Sequence, residues 1–204
     1  MISSSNQKSL SAFRKVFGQE KNKDILIGFL NDMLQEPEFV YILDAIYLDS
    51  DVADKTPDTI VVQCTDQYKR CLLIEIYIIK SPEQRRTPSG SGVYDRFLKK
   101  HGKKGEKAHF VFMTILEFTL FHDIEELRSD FTADTKKSKD NCIEDMHAII
   151  IELPKFEKEG WELKSSMDCW YYLLKHVLKG KPEACPKLAE KYPMIKRAYE
   201  ALEE

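Results

Sequence analysis

The fold of this chain is decided by the stretch from Thr56 to Lys80, which reads TPDTIVVQCTDQYKRCLLIEIYIIK. Two runs rich in β-branched and aromatic residues, Thr59 to Thr65 and Cys71 to Ile79, enclose a short polar interval. This order predicts two antiparallel strands joined by a tight turn. The second run contains a single charge, Glu75, among leucines and isoleucines. An ionised carboxylate is costly to bury without a partner, so Glu75 is the first candidate for a functional residue.

The predicted hairpin also fixes which residues face each other. If Thr65 and Cys71 are the last paired residues around the turn, residues whose numbers add up to 136 lie opposite one another. Val61 then lies directly across from Glu75, and Tyr77 shares the face of Glu75, because side chains alternate between the two faces of a strand. The sequence therefore predicts a cluster of Val61, Glu75 and Tyr77.

Composition is typical of a globular protein. The chain has 204 residues, of which 43% are hydrophobic and 32% charged. This length predicts one domain over residues 1–204, with a helical C-terminal part over residues 161–204. The net charge is -3 and the pI about 6.0, so the molecule as a whole lacks the positive charge typical of nucleic-acid binders.

Cysteine usage and the N-terminus exclude several classes of protein. The five cysteines form no CxxC pair and no Cys/His spacing typical of zinc sites, which excludes a disulfide framework and predicts no metal centre of that kind. Residues 1–10 lack a Sec signal pattern, and no apolar run is long enough to cross a membrane. We therefore expect a cytoplasmic protein, or one exported into a host cell without a Sec signal.

The rest of the chain alternates between helical and strand patterns. Residues 10–35 have the apolar spacing of one amphipathic helix or of two segments broken near Gly18. The later segments are predicted as a strand or continued helix (39–43), a strand (109–121), a helical turn with a loop (123–140), a strand (146–153), a helix (161–179) and a short helix (193–202). Trp161 and Trp170 are predicted to pack in the core or against helices. The mixed order favours an α/β or α+β sandwich with a sheet at its centre.

Several segments together resemble the PD-(D/E)XK nuclease family transposases, relatives of the recombination-promoting nucleases. They occur in the family's order and are FRKVFG (13–18), NKDILIGFLN (22–31), the hairpin from Thr65 to Glu75, ILEF (115–118) and IELPKF (151–156). The resemblance covers residues 10–200. It implies an α/β fold with a central mixed β-sheet flanked by helices, the restriction-endonuclease-like core.

The resemblance also implies a site. In that family one strand carries a catalytic Asp and the next carries Glu-x-Gln or Glu-x-Lys, and together they bind a divalent cation that activates water. The catalytic Asp position falls on Val61, the Glu is retained as Glu75, and the Gln or Lys position is Tyr77. We interpret these three residues as a vestigial nuclease site with no cofactor. The alternative is a Mg²⁺-dependent DNA endonuclease that uses Glu75 with Asp58, which reaches the same face only if a bulge intervenes.

The segment from Lys80 to Lys107 is basic, with nine Lys and Arg against three Asp and Glu, a local charge of +6. Its candidate binding residues are Arg85, Arg86, Arg96, Lys99, Lys100, Lys103 and Lys104. Three interpretations remain open: a surface that follows a DNA backbone, a docking surface for an acidic protein, and a solvated helix and loop. The Ser89-Gly90-Ser91-Gly92 run is not followed by the Gly-Lys-Ser/Thr of a phosphate loop and predicts a flexible turn.

These observations favour a protein-binding or regulatory module built on an inactive nuclease. The resemblance implies one concrete version, because degenerate relatives of this family in intracellular bacteria act as guanine nucleotide exchange factors for Rho-type GTPases of the host. The expected partner is then another protein, in that version a Rac-like or Cdc42-like small GTPase. DNA is the expected partner under the endonuclease alternative.

Overall fold

The structure is a computed structural model that describes residues 12–35, 41–48, 59–84, 97, 108–134, 143–179 and 187–203. Its strands are β1 (Ile42–Tyr47), β2 (Thr59–Asp66), β3 (Cys71–Ile79), β4 (Ala108–Leu116), β5 (Arg128–Asp134) and β6 (Ile143–Glu152). Its α-helices are α1 (residues 12–17), α2 (Lys23–Met33), α3 (Ser166–Leu178) and α4 (Pro193–Glu203). Short 3-10 helices span Glu20–Asn22, Pro82–Gln84, Leu153–Lys155 and Ala189–Lys191.

The described strands form one mixed sheet in the order β1-β2-β3-β4-β6-β5. β2 and β3 are antiparallel, β3 pairs with β4 and β4 with β6 in parallel, and β5 and β6 are antiparallel. The predicted α/β class with a mixed sheet is confirmed. β3 lies inside the sheet and is buried on both faces, which explains why its sequence is almost continuously apolar.

Three predictions made from the pattern need correction. The strand predicted over residues 109–121 ends at Leu116. The segment predicted as a helical turn and loop over residues 123–140 contains β5, whose polar sequence RSDFTAD suits its place at the end of the sheet. Trp161, predicted to pack in the core or against helices, is 83% exposed, whereas Trp170 is fully buried as expected. Of the segment over residues 39–43, left open between helix and strand, Ile42 and Leu43 belong to β1, and residues 39 and 40 lie outside the described residues.

Contacts divide the chain into two compact units, residues 1–42 with 153–204, and residues 43–152. The first unit is helical and has an aromatic core. Phe13, Phe17, Phe29 and Trp170 are all buried, and successive ring centroids lie 5.0 to 5.9 Å apart. Such spacings are typical of favourable aromatic pairs, so this cluster holds α1, α2 and α3 together.

Helix α3 begins at a well-defined cap. The Ser165 hydroxyl accepts a hydrogen bond from the Asp168 backbone N–H at 3.0 Å. The Asp168 carboxylate accepts hydrogen bonds from the Lys158 ammonium at 2.7 Å and the Lys164 backbone N–H at 2.8 Å. Burial on its own would raise the pKa of Asp168, but these bonds outweigh it and lower the pKa below its usual range. The ionised carboxylate therefore complements the helix N-terminus.

The second unit contains most of the sheet. One face of β3 is aliphatic and buried through Leu72, Ile74, Ile76 and Ile78. The other face carries Glu75. None of the helices in the described part of the chain has both the length and the hydropathy to cross a membrane.

Candidate functional site

The turn between β2 and β3 is held by a buried aspartate. Asp66 is 0% exposed. Its carboxylate accepts hydrogen bonds from the backbone N–H groups of Tyr68 and Arg70 at 2.9 and 2.8 Å, and from Nε of Arg70 at 2.6 Å. The Asp66 carbonyl accepts the N–H of Lys69 at 3.0 Å. These bonds fix the length of the loop, and loop length sets the register of a hairpin.

The register is the one that the sequence predicts. Thr65 pairs with Cys71 next to the turn, and Val61 pairs with Glu75. Side chains of directly paired residues lie on the same face of the sheet, so Val61, Glu75 and Tyr77 share a face. The hairpin prediction, including both strand ends to within a residue, is confirmed.

The backbone bonds also show how closely Val61 and Glu75 approach. The carbonyl of Val61 accepts the N–H of Leu48 at 3.0 Å, so the polar backbone groups of Val61 point away from β3. At the turn, the Asp66 N–H donates to the Arg70 carbonyl at 3.3 Å, so Asp66 and Arg70 form a hydrogen-bonded pair. Hydrogen-bonded and non-hydrogen-bonded pairs alternate along the two strands, and counting from Asp66 makes Val61 and Glu75 a non-hydrogen-bonded pair. Val61 and Glu75 thus form a non-hydrogen-bonded pair, in which the Cα atoms are about 4.5 Å apart and the side chains are close.

The next strands continue the row in which Glu75 lies. In β4, Phe112 is opposite Glu75. Ala148 of β6 is opposite Phe112, and Phe131 of β5 is opposite Ala148. Of these five residues across the sheet, only Glu75 carries a charge. Its neighbours on the two flanking strands are a valine and a phenylalanine.

Apolar side chains also pack around this row. A buried cluster on this face contains Val61, Leu73, Tyr77, Phe97, Phe110 and Phe112. The rings of Phe110 and Phe112 stack with centroids 5.3 Å apart. Glu75 itself is 0% exposed. The Glu75 carboxylate is therefore buried on the face that this cluster shares.

We tested whether the described residues of this face fit a divalent cation. Mg²⁺ is usually held by one or two carboxylates together with substrate phosphates, and it requires oxygen ligands. Val61, in the position across from Glu75, supplies none. Among the residues that the structure describes, no group of three His, Cys, Asp or Glu could hold a metal ion. Of the two positions that the resemblance gives to carboxylates, the described residues supply one, Glu75, and the alternative acid Asp58 lies outside them.

The remaining predicted site residues lie outside the described residues. They are the alternative acid Asp58 and the basic candidates Arg85, Arg86, Arg96, Lys99, Lys100, Lys103 and Lys104. The structure thus brings together Val61, Glu75 and Tyr77.

Glu152, a buried acid at the end of β6, has a structural role. Its carboxylate accepts the backbone N–H groups of Leu120 and Phe121 at 2.6 and 3.1 Å. It therefore fixes the loop that follows β4. Sequence reasoning assigned Glu152 no role, because these partners become its neighbours only when β4 and β6 pair.

Asp130 joins a charged cluster that sequence reasoning also missed. It accepts two hydrogen bonds from Arg128, at 2.6 and 2.7 Å, and lies 3.1 Å from Nε2 of His147. Burial on its own would raise the pKa of Asp130, but the bonds and charges of Arg128 and His147 outweigh it and lower the pKa. Asp130 and His147 lie on strands that pair only in the fold, so their spacing in the sequence gives no signal.

The family model of the PD-(D/E)XK nuclease family transposases matches residues 11–204. The chain belongs to this family. Its mixed six-stranded sheet and helices agree with the restriction-endonuclease-like α/β fold of the family. No curated protein and no solved structure matches the chain.

The turn yields a prediction about the stability of this PD-(D/E)XK domain. Lys69 has φ 62°, a left-handed conformation that favours glycine. We expect Lys69→Gly to raise the free energy of unfolding by about 0.5–1 kcal/mol, because relief of backbone strain outweighs the added entropy of the unfolded chain. Urea denaturation measures the change.

Gln67→Gly is the matched control, since Gln67 lies in the same turn without a positive φ. It should lower the free energy of unfolding. Equal destabilisation by the two glycines would contradict the assigned turn geometry.

Proposed function

We propose that this domain has lost phosphodiester cleavage and acts as a protein-binding, regulatory module. The observation that carries the proposal is the pairing of Val61 with Glu75. A valine stands where the resemblance requires the second metal-binding carboxylate, and this position is the closest cross-strand neighbour that Glu75 has on β2.

Two further features support the loss of cleavage. Tyr77 occupies the Gln or Lys position, and a neutral phenol cannot supply the positive charge that a lysine offers to a developing phosphorane. The rings of Phe97, Phe110 and Phe112 pack in one cluster with Val61 and Tyr77, and Glu75 beside them is 0% exposed. The strand register is nevertheless regular and the core of the described residues is buried. The domain therefore keeps a folded structure on which a binding surface can be built.

The more specific form of the proposal is a guanine nucleotide exchange factor for a host Rac-like or Cdc42-like GTPase. An exchange factor needs neither a metal ion nor a catalytic acid of its own. It binds the nucleotide-free GTPase more tightly than the loaded form and works through that difference in affinity. Its support is the resemblance to degenerate relatives with this activity, and it requires export into the host cell. The basic segment from Lys80 to Lys107 is the proposed contact surface.

A repair experiment tests the loss of cleavage. Val61→Asp with Tyr77→Lys restores both family positions and sets a second carboxylate directly across from Glu75. We expect the wild type to show no nicking of supercoiled plasmid with Mg²⁺ or Mn²⁺, and the repaired variant to gain metal-dependent nicking.

The matched control is Val62→Asp with Tyr77→Lys. Val62 is buried and pairs with Ile74, so the same carboxylate points to the other face. Circular dichroism establishes that each variant folds. Metal-dependent nicking by the wild type, lost in both Glu75→Gln and Asp58→Asn, would overturn the proposal in favour of an endonuclease that uses these two acids.

The exchange activity has its own assay. The protein is incubated with Rac-like and Cdc42-like GTPases loaded with fluorescent GDP, and release of the nucleotide is followed over time. We expect release to accelerate in proportion to the concentration of the domain. No acceleration across a broad panel of Rho-type GTPases would contradict the exchange-factor form.

A further inference from the structure

The helical unit contains a small cavity that the proposed function does not use. Its volume is about 260 Å³, and its walls come from α2, from Trp170 of α3, from residues 192–195 at the start of α4, and from Tyr41. Every lining residue belongs to the same compact unit. Sites for drug-sized ligands measure roughly 300–1,000 Å³, so this cavity suits a single side chain.

A close helix crossing shapes one wall of the cavity. A Cβ atom at Gly28 would lie 2.6 Å from Cγ and 2.8 Å from Cβ of Met194. α2 and α4 can therefore meet at this point only because residue 28 is glycine. The wall is formed by packed helices.

Asp32 is the anionic group of the cavity, and a buried partner fixes its position. Its Oδ2 accepts the indole N–H of Trp170 at 2.6 Å, and Trp170 is 0% exposed. Its Oδ1 lies 3.5 Å from Nε2 of Gln35, at the outer limit of a hydrogen bond. A carboxylate offers about four acceptor positions, so Asp32 retains capacity for a further donor.

The other described lining residues supply no cationic side chain to the Asp32 carboxylate. The neighbouring amide, Asn31, is engaged in both directions: it accepts the backbone N–H of Ile42 at 2.6 Å and donates to the Ile42 carbonyl at 3.1 Å. None of the lining residues that the structure describes is Lys, Arg or His. The N-terminus of α4 adds only about half a positive charge, which does not balance the Asp32 carboxylate.

Aromatic rings complete the lining. Tyr41 and Tyr192 border the cavity, and Tyr41 is 47% exposed, whereas the buried Trp170 ring packs against Phe17 and Phe29 and reaches the cavity through its N–H bond to Asp32. Aromatic faces attract cations, and a planar guanidinium both stacks on such rings and donates to carboxylates. A negative, aromatic cavity of side-chain size is therefore suited to arginine.

We propose that this cavity binds the guanidinium of an arginine side chain presented by a protein partner, with Asp32 as its anionic acceptor. The inference deepens the proposed protein-binding function and rests on it for the source of the arginine. Arginine binding is measured with neither a GTPase nor a nucleic acid. A negative binding result would therefore rule out the arginine site alone, and a negative exchange assay would not affect this site.

Trp170 provides the readout. The chain has two tryptophans, and Trp161→Phe removes the exposed one and leaves the indole that bonds Asp32. In this background we titrate N-acetylarginine N-methylamide and follow the fluorescence of Trp170, with the indole N–H resonance as a second measurement. We expect a saturable change, and no change with the neutral, isosteric citrulline analogue.

Two variants test the part played by Asp32. Asp32→Asn keeps an oxygen that accepts the Trp170 N–H but removes the charge, and should weaken binding by about tenfold or more. Glu190→Gln, an exposed position outside the cavity, makes the same change in net charge and should leave affinity unchanged.

The arginine site would be contradicted by no saturable change in either measurement, by equal affinity for the citrulline analogue, or by equal affinity of Asp32→Asn. The affinity for a capped Gly-Arg-Gly peptide is compared with that for free arginine, to establish whether the cavity binds an arginine of a polypeptide or the free amino acid. We expect the peptide to bind at least as tightly. A clear preference for free arginine would contradict a protein partner.

Discussion

The register of the β2–β3 hairpin is the constraint on which the rest of this structure depends. Because side chains alternate along a strand, a slip of one residue would move Glu75 to the aliphatic face and expel Ile74 or Ile76 from it. Asp66 fixes the register at the turn through bonds to Tyr68 and Arg70. β4 fixes it from the other side, where Phe112 pairs with Glu75. The same register that builds the core thus places a valine and a phenylalanine beside the one charge on β3.

The hairpin could be predicted from the sequence because everything that specifies it is local. Two apolar runs and a polar turn set the strand ends, and alternation then gives the pairing of Val61 with Glu75. Helices α2 and α4 were predictable for a similar reason, since their apolar residues recur at helical spacing. The family could also be predicted from the sequence, because segments similar to those of the family occur in the same order along most of the chain.

Features that depend on distant segments could not be predicted. β5 is polar, and its pairing with β6 decides its conformation. Trp161 is apolar but lies before the cap of α3, and it is exposed. The contact of Glu75 with a phenylalanine required parallel pairing of β3 with β4, and the cavity at Asp32 required α2, α3 and α4 to pack. In the fold, Glu75 is a buried acid whose cross-strand neighbours are Val61 and Phe112.

Titration with Mn²⁺, followed through the backbone amide resonances, tests this account most directly, since a bound paramagnetic ion broadens signals around it. The account predicts that the signals of Val61, Glu75 and Phe112 keep their intensity, with no difference between the wild type and Glu75→Gln. Selective broadening centred on these residues, abolished by Glu75→Gln, would show that Glu75 still holds a metal ion and would contradict it.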